Sequence, residues 1–242
     1  MAATTSDRAI VLVTGPGFDL EGERTGVLLR QAGLAIRHEP KTGNRTAEQL
    51  SMLLDGAVAA IASTDPFTSY VFEAHPQLRV IARTGVGVDS IDMDAATEAG
   101  VLVTTTPGLN HETVADHALA LMLACVRRLR EHDESMRVHR WERGGAITPR
   151  DLHSSTIGLV GSGRIGQAVI RRLRGFGCTI LVSDPALTEP VEDARLVGLD
   201  ELLRKSDVVS VHAPLLPTTA GLIGRREIAL MRPTAILVNT SP

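Results

Sequence analysis

Apolar residues in this chain fall into short β-branched runs separated by stretches with helical spacing. "AIVLVT" (9–14), "LAIRHE" (34–39), "AVAAIAS" (57–63), "VIARTG" (80–85) and "VLVTTT" (101–106) read as strands. Between them, "GERTGVLLRQAG" (22–33), "TAEQLSMLLDG" (46–56) and "DMDAATEAG" (92–100) read as helices; Gly33 stops the first and Thr46 opens the second. Strands alternating with helices imply βαβ units and a parallel sheet covered on both faces.

Near Asn110 the rhythm changes. Residues 111–139, "HETVADHALALMLACVRRLREHDESMRVH", predict one long helix, apolar on most of its circumference in the first half and charged in its tail. A polar connector with Gly and Pro follows (141–156). A second βα series then begins. Its strands are "TIGLVG" (156–161), "TILVSD" (179–184), "DVVSVHAP" (207–214) and "AILVNT" (235–240), with helices at 164–177, 199–206 and 224–231. The expected fold is α/β, with two Rossmann- or flavodoxin-like parallel-sheet domains, 1–107 and 108–242, joined near 107–110.

Composition narrows the function. The chain has 242 residues and 43% apolar content, enough for one large or two ordinary domains. Aromatics are 2%, so Val, Leu, Ile and Ala must build the core. A net charge of −3 without a long basic run argues against nucleic acid as a partner. No apolar run reaches the roughly 18 residues of a membrane span. The N-terminus shows no basic region followed by an apolar one, so a cytoplasmic protein is expected. Cys125 and Cys178, far apart in apolar surroundings, read as core filler, and no metal-ligand spacing occurs.

The chemistry-bearing motif is Gly161-x-Gly163-x-x-Gly166, placed between a strand and a helix. Gly161 would make the tight turn, Gly163 would admit a pyrophosphate close to the backbone, and Gly166 would let the helix pack on the strand. Free N–H groups at the helix start favour phosphate, and Arg164 adds a cation nearby. The next strand ends at Asp184, 18 residues beyond Gly166. A carboxylate there suits the two adenosine ribose hydroxyls and repels a 2′-phosphate, and Pro185 supplies no compensating cation. NAD is therefore expected over NADP.

The segments "RTGVGVDSIDMDAATEAGVLVTTTPGLN" (83–110), "VADHALALML" (114–123), "GLVGSGRIG" (158–166), "SDVVSVHAPLLPTTAGLIG" (206–224) and "LMRPTAILVNTS" (230–241) resemble, in order, the D-isomer-specific 2-hydroxyacid dehydrogenases, especially the phosphoglycerate dehydrogenase branch. The resemblance runs from about residue 80 to the end. It implies an oxidoreductase moving a hydride between a nicotinamide and C2 of a small 2-hydroxy or 2-oxo acid, and a homodimer formed through the nucleotide-binding domain. It assigns Val86 and Gly87 to the substrate carboxylate and the nicotinamide end, and Arg83 and Asn110 to substrate contacts. Arg164 and Ile165 would cover the pyrophosphate, Ala213 and Pro214 the adenosine, and Thr240 and Ser241 the nicotinamide.

In that family a catalytic Arg follows the last of these turns, and a Glu and a proton-carrying His come later. Here Pro242 stands in the Arg position and closes the sequence, so the expectation is a truncated nucleotide-binding domain with impaired or no turnover and no assigned catalytic residue. His111, at a helix start near Asn110, is the histidine that could reach the cleft, and it is not assigned a catalytic role. His117 is expected to pack along the long helix, His212 to sit toward the adenosine side, and His38, His75, His132, His139 and His153 to lie at the surface. The alternatives are a non-catalytic, corepressor-like NAD(H)-binding protein, or a Rossmann enzyme of another family, which the "TGVGVD" and "HAPLLPTTAGLI" stretches fit poorly.

Overall fold

The computed structural model describes residues 8–15, 17–18, 20, 24–141, 145, 147–189 and 191–241. The expectations for the N-terminal residues 1–7, the helix start at 22–23, the connector positions 142–144 and 146, and Pro242 lie outside these. The chain divides into two compact units, Met1–Leu109 and Asn110–Pro242.

The first unit is a five-stranded parallel sheet. Its strands are β1 (Ile10–Val13), β2 (Ala35–His38), β3 (Ala57–Ala62), β4 (Val80–Arg83) and β5 (Leu102–Thr104), in the order β2-β1-β3-β4-β5. Helices α1 (Arg24–Gln31), α2 (Ala47–Leu53), α3 (Ser69–Ala74) and α4 (Met93–Glu98) connect them. Thr46 starts α2 through a capping box with Gln49, and the Asp92 carboxylate caps α4 by accepting the Ala95 N–H at 3.0 Å. Leu12, Leu50, Leu54, Phe67, Leu78 and Ile81 are fully buried between sheet and helices; each such side chain contributes about 1.5–3 kcal/mol of burial.

One polar cluster interrupts this core. Asp65, wholly buried, accepts the Thr14 hydroxyl at 2.5 Å and pairs with Arg45 at 2.7 Å. His75, expected at the surface, is buried between α2 and α3, where its Nε2 meets Ser51 Oγ at 2.8 Å. The small polar side chain on α2 makes room for the ring and satisfies it.

The second unit holds β6 (Thr156–Val160), β7 (Thr179–Ser183), β8 (Arg195–Leu196), β9 (Val208–Val211) and β10 (Ile236–Asn239), all parallel, in the order β10-β9-β6-β7-β8. Its helices are α5 (His111–Val126), α6 (Leu129–Arg137), α7 (Arg164–Leu173), α8 (Leu199–Lys205) and α9 (Arg225–Leu230). The single helix expected over 111–139 is thus two. Arg128 takes a left-handed conformation (φ 52°), and the connector caps the broken end: the Arg150 N–H donates to Val126 O at 2.8 Å, and the Arg127 guanidinium pairs with Asp151. These contacts offset a backbone cost of about 1–3 kcal/mol.

The buried stripe of α5 is narrow: Ala115, Ala118, Met122 and Val126, at helical spacing, pack with α7 and β10. Cys125 lies at the margin of that stripe in the last turn and is exposed, contrary to its reading as core filler. His117 is exposed as well, and its neighbour Asp116 pairs instead with Arg172 of α7 at 2.6 Å.

Candidate cofactor and anion site

In the second unit β6 is flanked by β7 on one side and β9 on the other, so the crossover direction reverses between β6 and β9. Ligands of open parallel sheets bind outside the carboxyl ends of strands at such a point. The segments that emerge there are Gly161–Gly166 after β6 and His212–Pro214 after β9.

Gly161 has φ +93°, and a Cβ on it would stand 2.9 Å from the carbonyl carbon and oxygen of His212. Only glycine makes this turn. Gly163 occupies the N-cap position of α7 with no side-chain cap, leaving the first-turn N–H groups to an external acceptor. A Cβ on Gly163 would meet nothing within 4 Å, so the space ahead of the helix is open. A Cβ on Gly166 would lie 2.4 Å from Gly161 O, so α7 starts in direct contact with the turn that feeds it. Arg164 is exposed at the first position of α7, and Ile165 packs against the core. This is an anion cradle.

Asp184 closes the cradle. Its Oδ2 accepts the Ser162 N–H at 2.8 Å and its Oδ1 the Ala186 N–H at 2.9 Å. Each oxygen keeps a lone pair for a further donor. The residues present therefore fit a dinucleotide: an open helix start for the pyrophosphate and a fixed carboxylate for the ribose.

At the end of β9, Ala213 and Pro214 line a pocket of about 250 Å³ together with Val211, Leu237, Asn239 and Ser241. Ser241 Oγ donates to Val211 O at 3.1 Å. Thr240 Oγ1 stands 3.4 Å from His212 Nδ1, and Ser210 Oγ 3.0 Å from Nε2. Burial pushes the His212 imidazole down to about 4. It is therefore neutral near pH 7 and acts as a hydrogen-bonding group. The sequence reading placed His212 near the cofactor without this role. The signal was there: the run read as a strand, 207–214, puts Ser210 and His212 two apart and so on one face.

In the first unit, the loop after β4 carries the other expected residues. Thr84 donates both its N–H and its hydroxyl to Ala62 O, and Thr106 N–H donates to Gly85 O at 2.9 Å, which fixes the loop to the sheet. Among the described residues, the main-chain N–H groups of Gly85, Val86 and Gly87 have no acceptor. Val86 is 46% exposed. The Arg83 guanidinium folds over Gly85, where a Cβ would lie 1.7 Å from Nη1. Arg83 is only 8% exposed, its Nε has no hydrogen-bond partner, and it forms no ion pair among the described residues. A buried cation beside three free N–H groups has the chemistry to receive an anion. Asn110, the remaining expected substrate contact, is exposed at the N-cap position of α5 in the second unit and makes no capping bond.

The chain is similar to known proteins along most of its length. The family model "D-isomer specific 2-hydroxyacid dehydrogenase, NAD binding domain" matches residues 119–242. A glyoxylate reductase from Korarchaeum cryptofilum is 45% identical over 184 residues, covering 74% of this chain and 55% of the relative. A hydroxypyruvate reductase from Thermotoga maritima is 36% identical over 222 residues, covering 92% of this chain and 71% of the relative. The crystal structure of the TT0316 protein from Thermus thermophilus superposes with a TM-score of 0.84 at 37% identity, covering 96% of this chain and 73% of that one. The chain thus spans about half the length of the first of these relatives. Together, the cradle, the fixed carboxylate and the matched domain place the chain in the D-isomer specific 2-hydroxyacid dehydrogenase family, with its NAD-binding domain in the second unit.

Proposed function

We propose that this chain serves an NAD-dependent oxidoreductase acting on a small 2-hydroxy or 2-oxo acid, the second unit holding the cofactor and the first the acid. The carrying observation is the open N-terminus of α7 beside Asp184, which is fastened to the same glycine turn, inside the stretch that matches the family's NAD-binding domain.

The N–H groups at the start of α7 bind the pyrophosphate, with Arg164 adding charge from outside. Asp184 accepts the ribose hydroxyls and disfavours a 2′-phosphate. Ala213 and Pro214 contact the adenosine, and Thr240 and Ser241 the nicotinamide end. Arg83 and the N–H groups of residues 85–87 hold the acid's carboxylate, and Asn110 adds a polar contact. Bound NAD supplies the hydride chemistry, and the protein supplies binding and orientation.

The same reading includes a cytoplasmic location and a homodimer through the nucleotide-binding unit, where Leu129, Met136 and Val138 of and beside α6 are more than half exposed. Among the described residues no helix is long and apolar enough to cross a membrane.

The test is a fluorescence titration of the folded chain with NADH and NADPH, followed by addition of glyoxylate or hydroxypyruvate, the acids in the relatives' names. Saturable NADH binding, weaker NADPH binding and a response of bound NADH to one of the acids are expected. No saturation with NADH would overturn the reading.

A further inference from the structure

His212 is buried at 8% exposure, and the roles given above leave its side chain without a function. Its main chain is locked on one side: the N–H donates to Val160 O at 2.8 Å, and its carbonyl group backs onto the Gly161 turn. Its ring reaches the other way. Nε2 meets Ser210 Oγ, itself wholly buried in β9, and Nδ1 faces Thr240 Oγ1 in the turn after β10. Both ring nitrogens thus have hydroxyl partners, and a neutral imidazole can serve them by donating at one nitrogen and accepting at the other. A hydroxyl can be donor or acceptor, so either tautomer satisfies the arrangement.

The turn after β10 is otherwise lightly held. Ser241 Oγ donates to Val211 O, and the Ser241 N–H returns to Asn239 Oδ1 at 3.0 Å within the turn itself. The His212 ring is therefore the side chain that joins this turn to the residue backing the glycine turn. We infer that His212 is a positioning residue for the cofactor: it sets where the Thr240–Ser241 turn stands relative to the pyrophosphate cradle, and so tunes affinity for the nicotinamide half of NAD(H) without touching the adenosine half. This rests on the proposed cofactor placement.

The ligand pair that separates the halves is NADH and ADP-ribose, which share everything except the nicotinamide. His212→Gln keeps a polar atom near the Nε2 position and loses the one facing Thr240. His212→Asn does the reverse. Thr240→Val removes the partner hydroxyl together with the contact proposed for Thr240 at the nicotinamide end. With the full chain, His212→Gln should weaken NADH by about fivefold to tenfold, the equivalent of one hydrogen bond, and Thr240→Val by at least as much. ADP-ribose should change by less than about twofold, and the double variant should be no worse than Thr240→Val alone. His212→Asn should retain most of the NADH affinity.

Equal losses for both ligands, additive losses in the double variant, or unchanged NADH affinity would overturn the inference. If His212→Gln does not fold, His212→Met, which fills much of the same space without a ring nitrogen, decides on the same two ligands. Failure of the unsubstituted chain to bind either ligand would instead sink the cofactor placement, a distinguishable result.

Discussion

The main-chain N–H of Ser162, in the glycine turn, donates to the carboxylate of Asp184 at 2.8 Å. The acid expected to select the cofactor is thus also a strut of the turn that binds its phosphates. Asp184→Ala should therefore do more than remove a ribose contact. NADH affinity should fall by at least about tenfold, and stability in urea by roughly 1–3 kcal/mol, the range for losing a hydrogen bond to a charged acceptor. NADPH affinity should not rise, because Pro185 supplies no cation. Paired urea curves and fluorescence titrations would check both arms.

The three glycines of the turn should separate by their surroundings. Gly163→Ala puts a methyl into open space ahead of α7 and should fold with nearly unchanged stability while losing NADH affinity. Gly166→Ala drives a methyl into Gly161 O, and Gly161→Ala demands a left-handed alanine against the His212 carbonyl. Each should cost about 1–3 kcal/mol. Thermal melts with and without NADH distinguish the two classes. A stable Gly166→Ala protein would contradict the close approach seen here.

Much of this was legible in the sequence because parallel-sheet strands are short apolar runs and the phosphate-binding turn has fixed spacing. Residues 10–13, 57–62, 156–160 and 236–239 form strands inside the runs that predicted them. What escaped depends on contacts far along the chain. The break between α5 and α6 has no Gly or Pro to announce it, since the cap comes from Arg150 in the connector. β8 is two residues long and exists only by pairing with β7. Asp65 and Arg45 are 20 residues apart, and nothing in their local context shows that one is wholly buried. Arg83 could be placed at the end of a strand, but not recognised as a buried cation that forms no ion pair among the described residues.

The two buried histidines should make stability depend on pH from the acid side. Burial lowers His212 from 6.5 to about 4, and it lowers His75 too, outweighing the nearby Asp55. A folded value below the unfolded one means that the unfolded chain binds more protons in between. Stability is then full above about pH 6.5 and declines as the pH falls toward 4, by on the order of 3 kcal/mol for His212. Urea midpoints across this window should show the slope, and His212→Asn should reduce it. An unchanged slope in that variant would assign the effect elsewhere.

The Arg45–Asp65 pair should be far more sensitive than surface pairs such as Arg130–Glu134. Arg45→Met leaves the Asp65 carboxylate buried with, among the described residues, only Thr14 to hold it, which should cost about 3–5 kcal/mol. Arg130→Met should cost less than about 1 kcal/mol. NADH binding by the second unit should survive Arg45→Met wherever the chain stays folded. Urea unfolding of the two variants, followed by titration, tests this contrast.

Arg83 offers the sharpest separation of stability from function. A buried guanidinium with no counter-charge among the described residues carries a desolvation penalty that folding alone does not recover, so the group should be worth keeping only for a ligand. Arg83→Met fills much of the same space without charge. It should leave stability unchanged or raise it by about 1 kcal/mol, as replacement of buried charges by apolar groups often does. The added stability that a 2-oxo acid confers on the unsubstituted chain, through binding to the folded state only, should meanwhile disappear. Urea midpoints of both proteins, measured with NADH and with or without glyoxylate or hydroxypyruvate, give all the required comparisons. A variant that is several kcal/mol less stable without ligand, yet still protected by the acid, would show that Arg83 serves the fold and not the carboxylate.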